Sequence, residues 1–272
     1  MLQAYLDESG IHADAEVCIV AGYFGKKGPW RRLESGWKAV LRNRDFDVPL
    51  DKFRAKDAVK GTDYFYGWGD DRRETFLGAL GKAIADSGVH PVCYGLIVSE
   101  FFNFSLAERR FLTGATWNAE QRRFLSSGSP NRPYFVAFTE CLKIVSLRAS
   151  VVSKADFYFG TDRAVAKYAE SLFRYLKWRS RIITTDKFGR IAFPYASETP
   201  ALQAADLFSY LSYRHMIERR QTGDWKTPPS RLLLSMLQNR KDPGDTSFRT
   251  EQHMRAMMAH VPLLAQGTAG GM

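Results

Sequence analysis

Residues 5–10 read YLDESG and place two adjacent carboxylates directly after an apolar run. Asp, Ser and Gly often follow a strand simply because they form turns. The alternative is that Asp7 ends a buried strand and directs its carboxylate into a functional site. In either case residues 2–7 are predicted to form a strand, and residues 8–10 the turn that follows it.

The composition is that of a globular protein with an affinity for polyanions. The chain has 272 residues, of which 45% are hydrophobic and 25% charged, and its formal net charge is +10 at pH 7,. This excess of cations favours a nucleic-acid partner. Three separate cysteines without CxxC spacing argue against a disulfide framework or a cysteine zinc site and favour a reducing compartment,. With neither a secretory pattern nor an apolar run of membrane-spanning length, we expect a cytoplasmic protein with no membrane partner.

The hydrophobic pattern predicts an α/β fold with a mixed sheet flanked by helices. The predicted strands are 2–7, 17–24, 89–99, 155–160 and 181–185, and the predicted helices are 29–44, 70–86, 134–148, 163–178 and one that begins at 199–200. Apart from a basic helical insertion at about 26–88, this is the element order of a ribonuclease H-like fold. We therefore predict a ribonuclease H-like domain over 1–218. Residues 219–272 are predicted to form a linker, a short helical appendage and a flexible tail.

Three carboxylates occupy positions from which they could converge. Asp7 lies at the end of the first strand, Asp162 follows the strand at 155–160, and Asp206 lies within an apolar stretch of the last long helix. An ionised Asp among apolar neighbours is costly unless it is paired or binds a cation. Oxygen ligands of this kind suit Mg²⁺ or Mn²⁺, and two such ions can promote phosphodiester hydrolysis. The sequence predicts these three residues as metal ligands and catalytic groups.

Each carboxylate also has a structural interpretation. Asp7 is compatible with a turn, Asp162 with an N-cap, and Asp206 with an arginine partner. Glu140 on the predicted 134–148 helix is either a fourth ligand or a surface residue, and the surface interpretation is favoured. Glu8 ranks below Asp7 as a ligand because successive side chains of a strand point to opposite faces.

Polar residues beside the acidic positions are candidates for supporting roles. Gln203 lies one helical turn before Asp206 and could hold its carboxylate or a metal-bound water. Ser9 belongs to the turn that orients Asp7, and His12 is a loop histidine that could lie near the metal.

The segment 26–56 is strongly basic, with ten cationic and four acidic residues. This charge indicates either a nucleic-acid-binding surface or a solvated helix face. The candidate nucleic-acid contacts are Arg31, Arg32, Arg42, Arg54 and Lys56.

Two motifs give the chain a resemblance to a known family. The opening YLDESG, and Ser197 followed by LQAADL at 202–207, resemble the end motifs of the bacterial domain of unknown function 3800 family. That family resembles the ribonuclease H-like superfamily and is suspected of nuclease activity. The resemblance implies that Asp7, Glu8 and Asp206 are motif residues and that Asp162 occupies the acidic position after the central strand. It also places Arg54 where a His is expected, which shifts that position towards phosphate contact.

These observations predict a divalent-metal-dependent nuclease, or a related phosphodiester-processing enzyme, that acts on DNA or RNA. Two alternatives are a non-catalytic nucleic-acid-binding module and an interaction protein of a toxin–antitoxin or defence system with a protein partner. The retained Asp7, Asp162 and Asp206 favour the enzyme over the binding module.

Overall fold

A computed structural model describes residues 1–115, 117–118, 123–124, 128–149, 153–160, 163–179, 185–237 and 246–258. The described strands, numbered β1 to β8 in chain order, are Leu2–Ser9, Val17–Gly25, His90–Ile97, Trp117–Asn118, Arg123–Phe124, Ala155–Phe159, Phe188–Ala192 and Thr246–Arg249. The described helices, numbered α1 to α10, are Lys27–Leu41, Ala55–Lys60, Asp70–Ser87, Val98–Phe102, Leu106–Leu112, Tyr134–Arg148, Arg163–Arg179, Pro200–Thr222, Arg231–Leu237 and Glu251–Met258.

Six of the described strands form one mixed sheet in the order β7-β6-β1-β2-β3-β8. The pairs β1–β2 and β2–β3 are antiparallel, whereas β1–β6, β6–β7 and β3–β8 are parallel. The short strands β4 and β5 pair only with each other. Because β1 is central and parallel to β6, the carboxyl ends of these two strands lie side by side.

Helices cover both faces of the sheet and bury two apolar cores. On one face, α6 and α7 pack against the alternate side chains of β1 that include Leu2, Ala4 and Leu6. On the other face, α1, α3 and α8 pack against the alternate side chains of β2 that include Ile19 and Tyr23. This two-sided burial accounts for the nearly continuous apolar pattern of β2, which is buried along its whole length,.

The predicted α/β class, the mixed sheet and the helical insertion between the second and third strands are confirmed. Helix α1 begins two residues before Pro29, which therefore occupies the first turn. Of the predicted strand at 181–185, residues 181–184 lie outside the described residues, and the strand that follows α7 is Phe188–Ala192.

The prediction of a helical appendage at the C-terminus was wrong in one respect. The region contains α9 and α10, but it also supplies β8, which pairs with β3 and extends the sheet. Met254 and Met258 of α10 are buried in the α6-side core. This segment therefore contributes to the main fold. None of the described helices is both long and apolar enough to cross a membrane.

Candidate metal centre

The alternation of β1 directs Asp7 and Glu8 to opposite faces of the sheet. Leu6 belongs to the core beneath α6, whereas Tyr5 packs against the core beneath α8. Asp7 shares the face of Tyr5, and Glu8 shares the face of Leu6. The side chains of Asp7 and Glu8 therefore point to opposite faces of the sheet, as expected from strand alternation. Asp7 therefore faces α8, the helix that carries Asp206.

Gly160 makes room for the Asp7 carboxylate at the end of β6. The Gly160 amide donates to the Leu6 carbonyl at 3.1 Å and so continues the parallel ladder past the last residue of β6. A Cβ atom added to Gly160 would lie 3.0 Å from Asp7 Oδ1. A larger residue here would have to displace the carboxylate, so the glycine keeps this carboxylate pocket open.

Asp206 joins the helical insertion to α8. Its Oδ2 accepts a hydrogen bond of 2.8 Å from the backbone amide of Ala55, the first residue of α2. The positive charge of Arg54 lies close enough to lower the pKa of Asp206, and the negative charge of Asp57 close enough to raise it. The insertion thus supplies a fixed donor and a cation to this carboxylate.

Burial dominates the electrostatics of both carboxylates. It raises the pKa of Asp206 to about 6, against the lowering effects of the Ala55 amide and Arg54. Burial also raises the pKa of Asp7 well above its ordinary value, and the negative charges of Glu8 and Asp206 raise it further. Desolvation and like-charge repulsion are the two effects that a bound cation relieves.

Gln203 has a structural role that differs from the predicted one. Its side chain is buried, its Oε1 accepts from Trp37 Nε1 at 2.9 Å, and its Nε2 donates to the Leu50 carbonyl at 2.6 Å. Both ends of the amide are occupied, so Gln203 attaches α1 and the Leu50 segment of the insertion to α8 and does not hold the Asp206 carboxylate.

Ser9 lies on the same face of β1 as Asp7. Its hydroxyl is 3.2 Å from the Ser209 hydroxyl on α8, which in turn donates to the Asp206 carbonyl at 3.1 Å. This pair connects the end of β1 to the turn of α8 that carries Asp206. The prediction that Glu8 and Ser9 form a turn after Asp7 was wrong, because β1 continues to Ser9, and the contact of Ser9 is made from within the strand.

The remaining acidic and polar candidates lie in different surroundings. Glu140 on α6 forms an ion pair of 2.5 Å with Lys143. His12 is exposed and bonds Asp14 at 2.7 Å, an interaction that lowers the pKa of Asp14. Ser197 is exposed in a single 3₁₀ turn before α8. Asp162 lies outside the described residues.

The predicted nucleic-acid-binding residues are all exposed, and they lie on α1, at its carboxyl end and around α2. Arg32 also has a structural contact, because its Nε donates to the Ser87 carbonyl at 2.9 Å. Arg54 is the member of this set whose positive charge lowers the pKa of Asp206.

Two carboxylates in a partly buried position, with the charge of one acting on the other, suit Mg²⁺ or Mn²⁺,. Within the described residues, no group of three or more His, Cys, Asp or Glu side chains has a metal-binding arrangement. The described part of the candidate centre therefore consists of Asp7 and Asp206, flanked by Gly160, the Ala55 amide and Arg54.

Sequence reasoning missed the Ala55 amide, Gly160 and Ser209. A backbone donor has no residue signature, and its approach to Asp206 depends on how the insertion folds back onto α8. Gly160 was detectable in principle, because a glycine directly after a buried strand often permits close approach of another group. This chain matches no family model, no curated protein and no solved structure.

Proposed function

We propose that this protein is a divalent-metal-dependent phosphodiester hydrolase that acts on nucleic acid. The observation that carries the proposal is the approach of β1 and α8 at Asp7 and Asp206, where the neighbouring hydroxyls of Ser9 and Ser209 lie 3.2 Å apart and the charge of Asp206 raises the pKa of Asp7. Like-charged, partly buried carboxylates are costly in the absence of a cation,. A bound metal ion would relieve this cost. An aspartate in a turn or on the surface would not incur it.

The fold is compatible with this proposal. A central strand flanked by an antiparallel strand on one side and a parallel strand on the other is the arrangement expected of a ribonuclease H-like sheet. The end motifs at 5–10 and 202–207 contribute Asp7 on β1 and Asp206 on α8, the helix that packs on the Asp7 face of that sheet. We propose on these grounds that the chain is a relative of the domain of unknown function 3800 family.

The proposed roles follow from the contacts of each residue. Asp7 and Asp206 would hold the metal through their carboxylate oxygens, and Asp162 is proposed as a third ligand by its place after β6. A bound divalent ion lowers the pKa of a coordinated water and stabilises developing negative charge. The Ala55 amide fixes the orientation of Asp206, and Arg54 is placed to attract a phosphate towards the acidic pair,.

The test combines metal binding with cleavage. Thermal melting of the protein in EDTA, Mg²⁺ and Mn²⁺ should show stabilisation by metal, since a ligand that binds only the folded state raises its stability. The same preparations should cleave labelled single- or double-stranded DNA or RNA only when metal is present. Metal stabilisation with no cleavage of any substrate would favour the non-catalytic binding module. The absence of both metal stabilisation and cleavage would contradict the proposal.

A further inference from the structure

The open part of the Asp7 face carries an arginine that is held in place from two sides. On β7, Arg190 Nε donates to Asp156 Oδ2 at 3.1 Å and Nη2 donates to the Tyr158 hydroxyl at 2.9 Å. The Arg190 side chain is 68% exposed, whereas the Asp156 side chain is only 4% exposed. A buried carboxylate thus fixes a guanidinium that projects into solvent.

The same face connects this arginine to the candidate metal centre. Tyr158 stacks on Tyr5 with ring centroids 4.6 Å apart, and Tyr5 contacts Trp30 of α1 at 4.5 Å. Tyr5 and Asp7 are two residues apart on β1 and point to the same side, a separation of roughly 7 Å. That is about the axial rise of two nucleotides of a B-form strand. The row of aromatic rings therefore spans from the basic helix α1 across β1 and β6 to Arg190, on the face of the sheet that carries Asp7.

The Arg190 guanidinium is needed neither for the register of β6 and β7 nor for the packing of α7 on these strands. The irregular pairing of β6 and β7 is held by the Arg190 backbone amide, which donates to Asp156 Oδ1 at 3.0 Å, and any residue supplies that donor. Helix α7 packs on the opposite face of these strands, so α7 does not cover Arg190. Within the described residues, Arg190 Nη1 makes no protein hydrogen bond or ion pair.

We infer that Arg190 is a phosphate-binding residue that positions the nucleic-acid backbone alongside the Asp7–Asp206 pair, an inference that rests on the proposed function. A guanidinium matches a phosphate through parallel N–H donors. Its attachment to Asp156 and Tyr158 limits its freedom before binding, which lowers the entropic cost of the contact. Arg190 is thus a positioning residue at a distance from the reacting atoms, with a binding role separate from metal ligation.

The test is oligonucleotide binding in EDTA, where no cleavage occurs, by fluorescence anisotropy over a series of salt concentrations. Arg190→Gln should weaken binding about five- to tenfold near 0.1 M salt and reduce the slope of log K against log salt by about 0.7 to 0.9, the value of one phosphate contact. The matched control is Arg174→Gln, since Arg174 is an exposed, ion-paired arginine on α7, on the other face of the sheet. It should leave both quantities unchanged.

The outcomes separate this inference from the proposed function. If the parent binds and Arg190→Gln weakens binding no more than Arg174→Gln, the role of Arg190 is overturned and the nuclease proposal stands. A parent that binds neither DNA nor RNA in EDTA overturns the role of Arg190 alone, because metal stabilisation and cleavage test the proposed function separately. Should Arg190→Gln melt well below the parent, Tyr158→Phe replaces it, because it removes the hydroxyl that holds Nη2 and leaves Asp156 in place. A loss of affinity of at least about twofold in that variant supports the inference, and an unchanged affinity overturns it.

Discussion

The two faces of β1 differ in what their side chains do. Towards α6 and α7, β1 contributes Leu2, Ala4 and Leu6 to a core of aliphatic and aromatic side chains. Towards α1 and α8, the same strand contributes Tyr5 and Asp7, which meet a carboxylate, a serine pair and an aromatic row. The difference shows how one strand can stabilise the fold on one side and carry a polar site on the other.

The largest effect is expected from removing the charge of Asp206 on the polar face. Asp206→Asn should reduce metal-dependent cleavage at least about a hundredfold, because the metal and the transition state it stabilises lose a ligand worth several kcal/mol. An asparagine oxygen can still accept from the Ala55 amide, so the metal-free variant should melt no lower than the parent. Cleavage assays and thermal melting in EDTA, on the same preparations, measure the two quantities.

Asp86→Asn is the matched control for this substitution. Asp86 lies on α3 and pairs with Lys82 at the surface, so its loss should change neither cleavage nor stability measurably,. A strong fall in the melting temperature of Asp206→Asn would instead identify Asp206 as one half of a structural ion pair, since breaking a buried pair costs about 3–5 kcal/mol.

A second large effect is expected where the insertion attaches to the polar face. Gln203→Ala removes the partners of the Trp37 indole and the Leu50 carbonyl, and each lost buried partner costs about 1–3 kcal/mol,. The variant should lose about 2–5 kcal/mol of unfolding free energy in urea denaturation. Gln221→Ala, at an exposed position of the same helix, should change it by less than about 0.5 kcal/mol,. Equal losses in the two variants would contradict the attachment role.

Sequence patterns predicted the apolar face better than the polar one. The alternation of β1 and the continuous apolar run of β2 follow directly from burial, which a sequence records residue by residue,. Asp7 and Asp206 were found because a charge among apolar residues is conspicuous. The Ala55 amide and the Asp156–Arg190 pair were not found, because backbone donors have no residue signature and strand pairing between β6 and β7 is a long-range contact. The role of Gln203 was misassigned because helical spacing shows that Gln203 is near Asp206 on the same helix. It does not show that residues of the insertion, Trp37 and Leu50, occupy the Gln203 amide.

The pH dependence of the metal-free protein gives a smaller effect. The pKa of Asp206 is raised from its ordinary 3.8 to about 6, so between these values the folded state retains a proton that the unfolded state has lost. Stability therefore falls as pH rises through this window and levels off above about 6. The two-unit shift corresponds to at most about 3 kcal/mol. Asp206→Asn should lack this component.

The difference between parent and variant reports Asp206 together with Asp7, whose pKa is raised in part by the charge of Asp206, and removes the contribution of other groups that titrate nearby in pH. His215, further along α8, has a lowered pKa because of burial, so it acts in the opposite sense and destabilises the fold on acidification,. Urea denaturation at half-unit steps from pH 4 to 8 in EDTA gives both curves. Parallel curves for the parent and Asp206→Asn would show that the Asp206 carboxylate is not desolvated in the folded state.

The smallest effects concern single cations on α1 and at its carboxyl end. Helix α1 contributes Trp30 to the aromatic row of the polar face. Arg31→Gln or Arg42→Gln should each lower the salt slope of oligonucleotide binding by about 0.7 to 0.9, roughly 1 kcal/mol near 0.1 M salt, if each contacts one phosphate. Lys167→Gln on α7 is the control from the opposite face, where no change is expected. Arg32 differs from its neighbours because its Nε already binds the Ser87 carbonyl, so Arg32→Gln should lower the melting temperature as well. Equal salt slopes for the α1 variants and Lys167→Gln would mean that the basic helix is only a solvated surface, and the nucleic-acid interface would then be confined to the sheet face around Asp7.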